Sequence, residues 1–202
     1  RLRLSSVEPG ELPAGLLADP DARALLCEHF HLPVQSGAPR ILAAMGRPHR
    51  PEDLRRAFDA IAAAVPGACL GTDVLCGFPG ETEADHRATV ALLEALPLAY
   101  LHVFPFSPRP GTPAAALAGR PPADAVRERA RELRALSERR WRGFLAAQVG
   151  RDHEVVVERV ADGIARGTAR AFFAVSFPAR GARRGDLVPV HVAAADGEIT
   201  VM

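Results

Sequence analysis

The first 120 residues alternate between short apolar runs and longer segments with helical apolar spacing, and this alternation constrains the fold more than any other feature. Strands are predicted in RLRLSS (1–6), HFHLPVQSG (29–37), CLGTDVLCGF (69–78) and LAYLHVFPFS (98–107). Apolar residues at helical spacing follow Pro51 and Thr82, which predicts helices between the strands. Strands that alternate with helices favour a parallel α/β sheet, either open or closed into a barrel.

Each predicted strand runs into a polar turn rich in Gly, Pro or Ser. The four endings are SSVEP (5–9), VQSG (34–37), CGFPGET (76–82) and FSPRPGT (106–112). In parallel α/β folds the carboxyl ends of the strands form the ligand-binding rim, so we expect these endings to meet on one rim. Taken singly, each ending also has a structural interpretation: Gly77 and Gly80 suit a turn, and Glu81 or Thr82 suits a helix cap.

Residues 120–149 show the pattern of one long amphipathic helix. Residues 120–150 contain eight arginines against four acids, which is typical of a solvated face and alternatively suits a phosphate-contacting surface. After Gly150 the apolar period changes to two, with Asp-Gly and Arg-Gly turns between short runs. This change predicts a small all-β barrel. The domain prediction is therefore 1–119, 120–149 and 150–202.

The predicted β-barrel contains two features that suit RNA binding. Arg180, Arg183 and Arg184 lie with glycines in one candidate loop for RNA contacts. The second feature is a group of three aromatic rings that could either stack on bases or fill the barrel, namely Phe172, Phe173 and Phe177. We expect at least two of these rings to fill the barrel core.

The composition describes a globular chain without a membrane-spanning run. Hydrophobic residues make up 48% of the 202 residues, and the formal net charge is +1. Arg, Pro and acids interrupt every apolar stretch, so we expect no membrane segment and a cytoplasmic location. All 25 basic residues are arginines, which a coding bias explains better than phosphate binding does. The cysteines match no zinc, disulfide or iron–sulfur spacing and are predicted to be small buried residues; they are Cys27, Cys69 and Cys76.

Taken in order, the strand endings resemble the radical S-adenosylmethionine methylthiotransferases, which add a methylthio group to tRNA adenosines or, in one branch, to a ribosomal protein. The resemblance rests on RLRLSSVEP (1–9), HFHLPVQSGAPRILAAMGR (29–47), GTDVLCGFPGETEADH (71–86) and LHVFPFSPRPGTPAA (101–115). It implies the last four strands of a six-stranded (βα)6 radical SAM barrel, followed by a TRAM-like β-barrel that binds tRNA. LHVFPFSPRPGT is most similar to the MtaB-type branch, which acts on N6-threonylcarbamoyladenosine beside the anticodon.

The chain departs from this family in its cysteines. The family carries a Cys-x-x-x-Cys-x-x-Cys loop for one [4Fe-4S] cluster and three further cysteines for a second cluster, and neither set is present here. The chain also begins at Arg1 inside a strand-like pattern, so we expect a missing N-terminal domain and a chain that is inactive alone. For the intact protein the resemblance implies S-adenosylmethionine, [4Fe-4S] clusters, an external reductant and tRNA as partners.

The resemblance also assigns roles to residues at the strand endings. Ser6, Gln35 and Ser36 are expected near the methionyl and ribose parts of S-adenosylmethionine, and Gly77 and Gly80 near its adenine. Substrate contacts are expected from Asp73, Arg109 and the arginines of the Arg180–Arg184 loop. Asp73 lies within a strand, so it is either salt-bridged or faces the barrel lumen. The structural role is preferred for Glu81, and His31 and His102 are expected to be satisfied core histidines. No catalytic residue and no metal ligand is expected in this chain.

Two alternative functions remain open from the sequence. One is an RNA-binding module in which the barrel is only scaffolding. The other is a methylthiotransferase that acts on a different tRNA adenosine or on a ribosomal protein.

Overall fold

The computed structural model describes residues 1–13, 15–196 and 198–200. The first sheet is parallel and has the order β1-β2-β3. Its strands are β1 (His29–His31), β2 (Cys69–Cys76) and β3 (Tyr100–Pro105). All three were predicted from the sequence, with β1 shorter than its apolar run because Pro33 has no amide hydrogen to donate to a ladder.

The predicted first strand is present as an extended segment, residues 2–7, that lies parallel to β1. It forms only two isolated bridges, from Leu2 to Leu26 and from Ser6 to His31. The amide of Val7 donates to the carbonyl of His31 at 3.0 Å. A bend at Glu28 separates the two bridges, which explains why the predicted strand does not form a continuous ladder.

The same part of the chain contains the helices and leads into the second sheet through the last of them. They are α1 (Pro20–Leu25), α2 (Pro39–Ala44), α3 (Pro51–Ala64), α4 (Glu83–Ala95) and α5 (Ala123–Ala146), with a short 3-10 helix at Pro113–Ala116. Proline occupies the first turn of α1, α2 and α3, where its missing amide hydrogen costs nothing. The short helix α2 was not predicted, because six residues are too few to show a helical period.

The main core lies between the parallel sheet and helices α3, α4 and α5. Phe30 and Val74 of the sheet pack with Phe58 of α3, Leu93 of α4 and Leu133 of α5, all at most 1% exposed. The opposite face of this three-stranded sheet carries polar side chains, and we call it the lumen face because the resemblance implies a barrel lumen on that side.

The second sheet follows α5 and contains six strands in the order β7-β4-β5-β6-β9-β8. The strands are β4 (Asp152–Ala161), β5 (Ile164–Ala169), β6 (Ala174–Pro178), β7 (Leu187–His191), β8 (Ala194–Asp196) and β9 (Glu198–Thr200). The predicted all-β character is confirmed, and the described residues of 152–200 are called the β unit below. Phe173 and Phe177 are buried in its core, which confirms core filling for two of the three rings.

Helix α5 belongs to both cores. Leu133 and Leu136 pack against the parallel sheet, whereas Leu145, Trp141 and Phe144 pack against the β unit. The buried stripe of the predicted long helix therefore continues from one core into the other. In the described part of the chain, no helix is both long enough and apolar enough to cross a membrane.

Candidate functional site

The carboxyl ends of the three parallel strands meet on one rim, as their polar endings predicted. The amide of Gln35 donates to the carbonyl of Asp73 at 2.8 Å, and the amide of Leu75 donates to the carbonyl of Gln35 at 2.9 Å. The amide of Phe106 donates to the carbonyl of Cys76 at 2.8 Å. These bonds hold VQSG, CGFPGET and FSPRPGT side by side.

The turn Gly77-Phe78-Pro79-Gly80, called the GFPG turn below, is anchored by Glu81. The Oε2 atom of Glu81 accepts a hydrogen bond from the Gly77 amide at 2.6 Å. Nη1 of Arg129, on α5, donates to the same oxygen at 2.8 Å, and the Glu81 side chain is only 1% exposed. Glu81 therefore has the structural role that was preferred from the sequence.

A second arginine, Arg40 of α2, holds the other end of this turn. Arg40 donates to the carbonyl of Gly80 at 2.8 Å and, through Nε, to Oδ1 of Asp85 at 2.8 Å. Asp85 also accepts from the Thr82 amide in the capping box that begins α4. Sequence reasoning did not identify Arg40 or Arg129, because nothing in the local pattern shows which distant carboxylate or carbonyl an arginine reaches.

The two glycines of the turn occupy different environments. Both have positive φ, +80° at Gly77 and +83° at Gly80, a region that favours glycine. A Cβ at Gly77 would lie 2.7 Å from Cγ2 of Val126 on α5, so this position also requires glycine for packing. A Cβ at Gly80 would have its nearest neighbour 4.0 Å away, so open space remains there for a ligand.

The VQSG ending combines one accessible residue with one that is fully buried. Gln35 is half-buried and has a φ of +62°, which turns the chain at the end of β1. Ser36 is fully buried: its Oγ lies 3.2 Å from Thr89 Oγ1 and accepts from the Ala38 amide at 3.2 Å. The Ser36 hydroxyl thus supports the turn, whereas Ser6 is exposed beside β1.

On the lumen face, His31, Asp73 and His102 form a group that we call the lumen cluster. Nε2 of His31 lies 3.0 Å from Oδ1 of Asp73, and Nδ1 of His102 lies 3.4 Å from the same oxygen. The sequence predicted that Asp73 is either salt-bridged or faces the lumen. In the structure Asp73 pairs with two histidines and also faces the lumen. His31 is buried with its partners satisfied as expected, but His102 is exposed, so its prediction as a core histidine is wrong.

Tyr100 extends this group toward the amino ends of the strands. Its hydroxyl lies 3.1 Å from Nδ1 of His31 and 2.9 Å from Nε2 of His29. Burial raises the pKa of Tyr100 above its ordinary value, so the hydroxyl keeps its proton. Burial, with a smaller contribution from Arg3, lowers the pKa of His29 to about 4, and burial also lowers the pKa of His31 although Asp73 opposes the shift. Both imidazoles are therefore neutral at neutral pH.

The β unit closes the amino end of this lumen with Phe172. The centroid of the Phe172 ring lies 4.2 Å from the centroid of the His29 ring, and Cζ of Arg3 lies 4.3 Å from the Phe172 centroid. Phe172 has a φ of +65°, at the turn between β5 and β6. This ring lies outside the β core and packs against the parallel sheet.

The remaining predicted contacts lie in exposed loops. Arg109 is exposed in the loop after β3, and in the described part of the chain its side chain forms no hydrogen bond or ion pair. Arg180, Arg183 and Arg184 are exposed in the loop between β6 and β7, where the Arg183 amide donates to Asp186 at 2.8 Å. The structure therefore brings Gln35, the GFPG turn and the 106–112 loop to one rim but places the arginine loop in the β unit.

The three cysteines do not converge on one point. Cys69 and Cys76 are the first and last residues of β2, so about 23 Å of strand separates them at about 3.3 Å per residue. All three thiols are buried, and burial raises the pKa of Cys69 to about 12 and of Cys76 to about 11. This geometry excludes a single iron–sulfur cluster ligated by all three.

Comparison with known proteins points to one superfamily. Residues 16–93 match the family model described as the Radical SAM superfamily. The chain is 39% identical over 198 residues to the tRNA-2-methylthio-N(6)-dimethylallyladenosine synthase of Cereibacter sphaeroides, covering 96% of this chain and 45% of that protein. The protein of the same name from Erythrobacter litoralis is 39% identical, covering 79% of this chain and 36% of that protein. The one from Chloroherpeton thalassium is 36% identical, covering 95% of this chain and 44% of that protein. The chain thus spans less than half the length of these relatives.

Among solved structures, coproporphyrinogen III oxidase (HemN) from Escherichia coli, a radical SAM enzyme, has a TM-score of 0.55 with 18% identity. The match covers 67% of this chain and 31% of that one. This likeness shows the fold: the parallel sheet with its helices is similar to part of the barrel of that radical SAM enzyme.

Proposed function

We propose that this chain is the S-adenosylmethionine- and tRNA-facing part of a tRNA methylthiotransferase. The rim carries this proposal: hydrogen bonds hold the VQSG, GFPG and SPRPGT endings side by side, and the first two of these endings lie within residues 16–93, which match the Radical SAM superfamily model. The similarity to three tRNA methylthio synthases, at 36–39% identity, supports the reaction class.

The rim suits S-adenosylmethionine, which when bound supplies the carbon radical and the methyl group of such reactions. The half-buried side chain of Gln35 offers hydrogen bonds, and the exposed Ser6 hydroxyl lies beside β1. Gly80 contributes open space rather than hydrogen bonds, since its amide donates to the Gly119 carbonyl and its carbonyl accepts from Arg40. Ser36 and Gly77 position these groups rather than contact the ligand, because Ser36 is fully buried and Gly77 packs against Val126. We place Asp73 on the substrate side, since its carboxylate faces the lumen below the rim.

The residues of this chain do not suit a [4Fe-4S] cluster. Its three cysteines are buried and dispersed, and the raised pKa values of Cys69 and Cys76 keep those thiols protonated, whereas a cluster is bound by thiolates. We propose that the cluster ligands of the intact protein lie outside these 202 residues and that the chain alone is inactive.

For tRNA binding we propose two exposed basic surfaces, namely Arg109 beside the rim and the Arg180–Arg184 loop of the β unit, which we interpret as TRAM-like. Arginine binds phosphate through paired N–H groups, and exposed side chains are free to do so. A variant with Arg180, Arg183 and Arg184 changed to Ala is expected to bind an anticodon stem-loop more weakly and with a reduced salt dependence. The matched control changes the exposed Arg55, Arg56 and Arg87 to Ala, with the same loss of charge. Equal losses in both variants would contradict a specific surface.

As the substrate we propose N6-threonylcarbamoyladenosine beside the anticodon, because LHVFPFSPRPGT of β3 and its loop resembles the branch that acts on it. A second candidate is N6-dimethylallyladenosine, which the names of the three relatives favour. The test is mass spectrometry of tRNA nucleosides from a strain that lacks the intact reading frame. Loss of the methylthio group from threonylcarbamoyladenosine alone supports the first substrate, and loss from dimethylallyladenosine alone supports the second. Unchanged tRNA nucleosides would overturn the proposed reaction and direct attention to a ribosomal protein or to RNA binding without catalysis.

A further inference from the structure

The lumen cluster combines three metal-binding side chains from the three strands of the parallel sheet. His31 ends β1, Asp73 lies within β2 and His102 lies within β3, so neighbouring strands bring together residues far apart in sequence. One ligand atom from each residue lies within 4.8 Å of the other two. Two imidazoles and one carboxylate are a donor set that proteins use for zinc and other divalent transition metals.

The distances within the cluster suit a tetrahedral ion. A zinc ion bonds imidazole nitrogen and carboxylate oxygen at about 2.0–2.2 Å, which places neighbouring ligand atoms about 3.3 Å apart. The observed separations are 3.0 Å for His31 Nε2 to Asp73 Oδ1 and 3.4 Å for His102 Nδ1 to Asp73 Oδ1. The three ligand atoms all lie within 4.8 Å of one another, so the two imidazoles must come somewhat closer when they share one ion.

The surroundings also provide the second contact that a ligating histidine requires. When Nε2 of His31 binds a metal, Nδ1 must carry the proton and needs an acceptor. The Tyr100 hydroxyl oxygen lies 3.1 Å from Nδ1 and can accept it. The same hydroxyl can then donate to Nε2 of His29, 2.9 Å away, which leaves the buried Nδ1 proton of His29 without a partner among the described residues.

We propose that His31, Asp73 and His102 bind one zinc ion on the lumen face. The site has three protein ligands, and the exposed His102 leaves its fourth position open to the lumen. Three ligands with an open position are typical of reactive rather than purely structural zinc sites. The fourth position would take water or an anionic oxygen of a bound substrate. This inference goes beyond the proposed tRNA reaction and does not depend on it.

The test is a zinc titration of the metal-free 202-residue chain by calorimetry, with competition against a chromophoric chelator. Wild type is expected to bind one zinc ion per chain. His102→Ala, at an exposed position, and the isosteric Asp73→Asn are each expected to weaken binding by at least about tenfold. Tyr100→Phe, which removes the hydroxyl shared by His31 and His29 but none of the three ligands, is expected to weaken binding by about tenfold while keeping the stoichiometry.

The matched control is His191→Ala in the β unit. His191 is also exposed on a strand, and its Nδ1 lies 2.8 Å from Oδ1 of Asp152, but no third ligand completes a group there among the described residues. Its zinc affinity is expected to equal that of wild type. Equal affinities for His102→Ala and His191→Ala, or no stoichiometric binding by wild type, would overturn the proposal.

Cobalt substitution identifies the ligands independently of the variants. A His-His-Asp site is expected to give only weak visible bands. A strong near-ultraviolet charge-transfer band would show thiolate ligation and would overturn the assignment, because it would place the ion on a buried cysteine. Since neither experiment involves tRNA or S-adenosylmethionine, a failure here leaves the proposed function untouched.

Discussion

Oε2 of Glu81 lies 2.8 Å from Nη1 of Arg129, in an ion pair that fixes the loop after β2 to helix α5. The two side chains are 1% and 8% exposed, and the same oxygen accepts the Gly77 amide. The conformation of the GFPG turn thus depends on a residue 48 positions away in the sequence.

Breaking this pair from the arginine side is expected to destabilise the fold strongly. Arg129→Met leaves the Glu81 carboxylate buried with one charge partner removed, and the expected loss is about 3–5 kcal/mol in the free energy of unfolding. Urea denaturation measures it. The control is Arg131→Met on the same helix, because Arg131 forms an exposed pair with Glu128; its expected effect is within about 0.5 kcal/mol. Similar losses in both variants would show that the buried pair contributes no more than a surface pair.

The two glycines of the GFPG turn are expected to differ in their tolerance of alanine. Gly80→Ala adds only the cost of a positive φ, about 1 kcal/mol, whereas Gly77→Ala also drives a methyl group into Val126. Thermal denaturation should therefore rank Gly77→Ala as clearly less stable. The double variant Gly77→Ala with Val126→Ala should recover part of the loss, and strict additivity of the two changes would contradict the steric explanation.

The lowered pKa of His29 predicts that the folded protein loses stability in mild acid. In the unfolded chain His29 takes up a proton near its ordinary pKa of 6.5, whereas in the folded protein its pKa is about 4. The unfolded state therefore binds more protons between these values, and the contribution of His29 is complete above 6.5 and decreases as the pH falls toward 4. His29→Gln should flatten the fall in the unfolding free energy across this window, while the exposed His191→Gln should not. A wild-type slope in His29→Gln would contradict the burial of a neutral imidazole.

Anaerobic reconstitution with iron and sulfide is expected to give no stoichiometric [4Fe-4S] cluster on this chain. Cys69 and Cys76 lie at opposite ends of β2, and their thiols remain protonated at neutral pH because burial raises their pKa values. Iron analysis and the visible spectrum measure the outcome. A stable cluster that survives gel filtration would mean that these cysteines rearrange to meet, and the chain alone would then have a route to radical chemistry.

Local patterns in the sequence were sufficient for much of the architecture. Three parallel strands, the helices that begin at Pro51 and after Thr82, and the change to β structure after residue 150 all follow from apolar periods of about 3.6 and 2. The clustering of the polar endings on one rim followed as well, because the carboxyl ends of parallel strands lie at one edge. A structural role for Glu81 was also preferred from the sequence, although only the structure shows that it anchors the turn.

The contacts between distant residues depended on the tertiary structure. Sequence periodicity places Asp73 and His102 within strands, but only the register of β2 against β3 sets them directly opposite each other. Sequence periodicity also does not show that His102 is exposed, that Ser36 is fully buried, or that the Phe172 ring packs against the His29 ring. Such pairings depend on strand register and on the docking of the β unit, which arise from many weak contacts summed over the whole chain. The sequence by itself therefore determined the elements and the rim, whereas the lumen cluster and the supports of the GFPG turn were decided only when the chain folded.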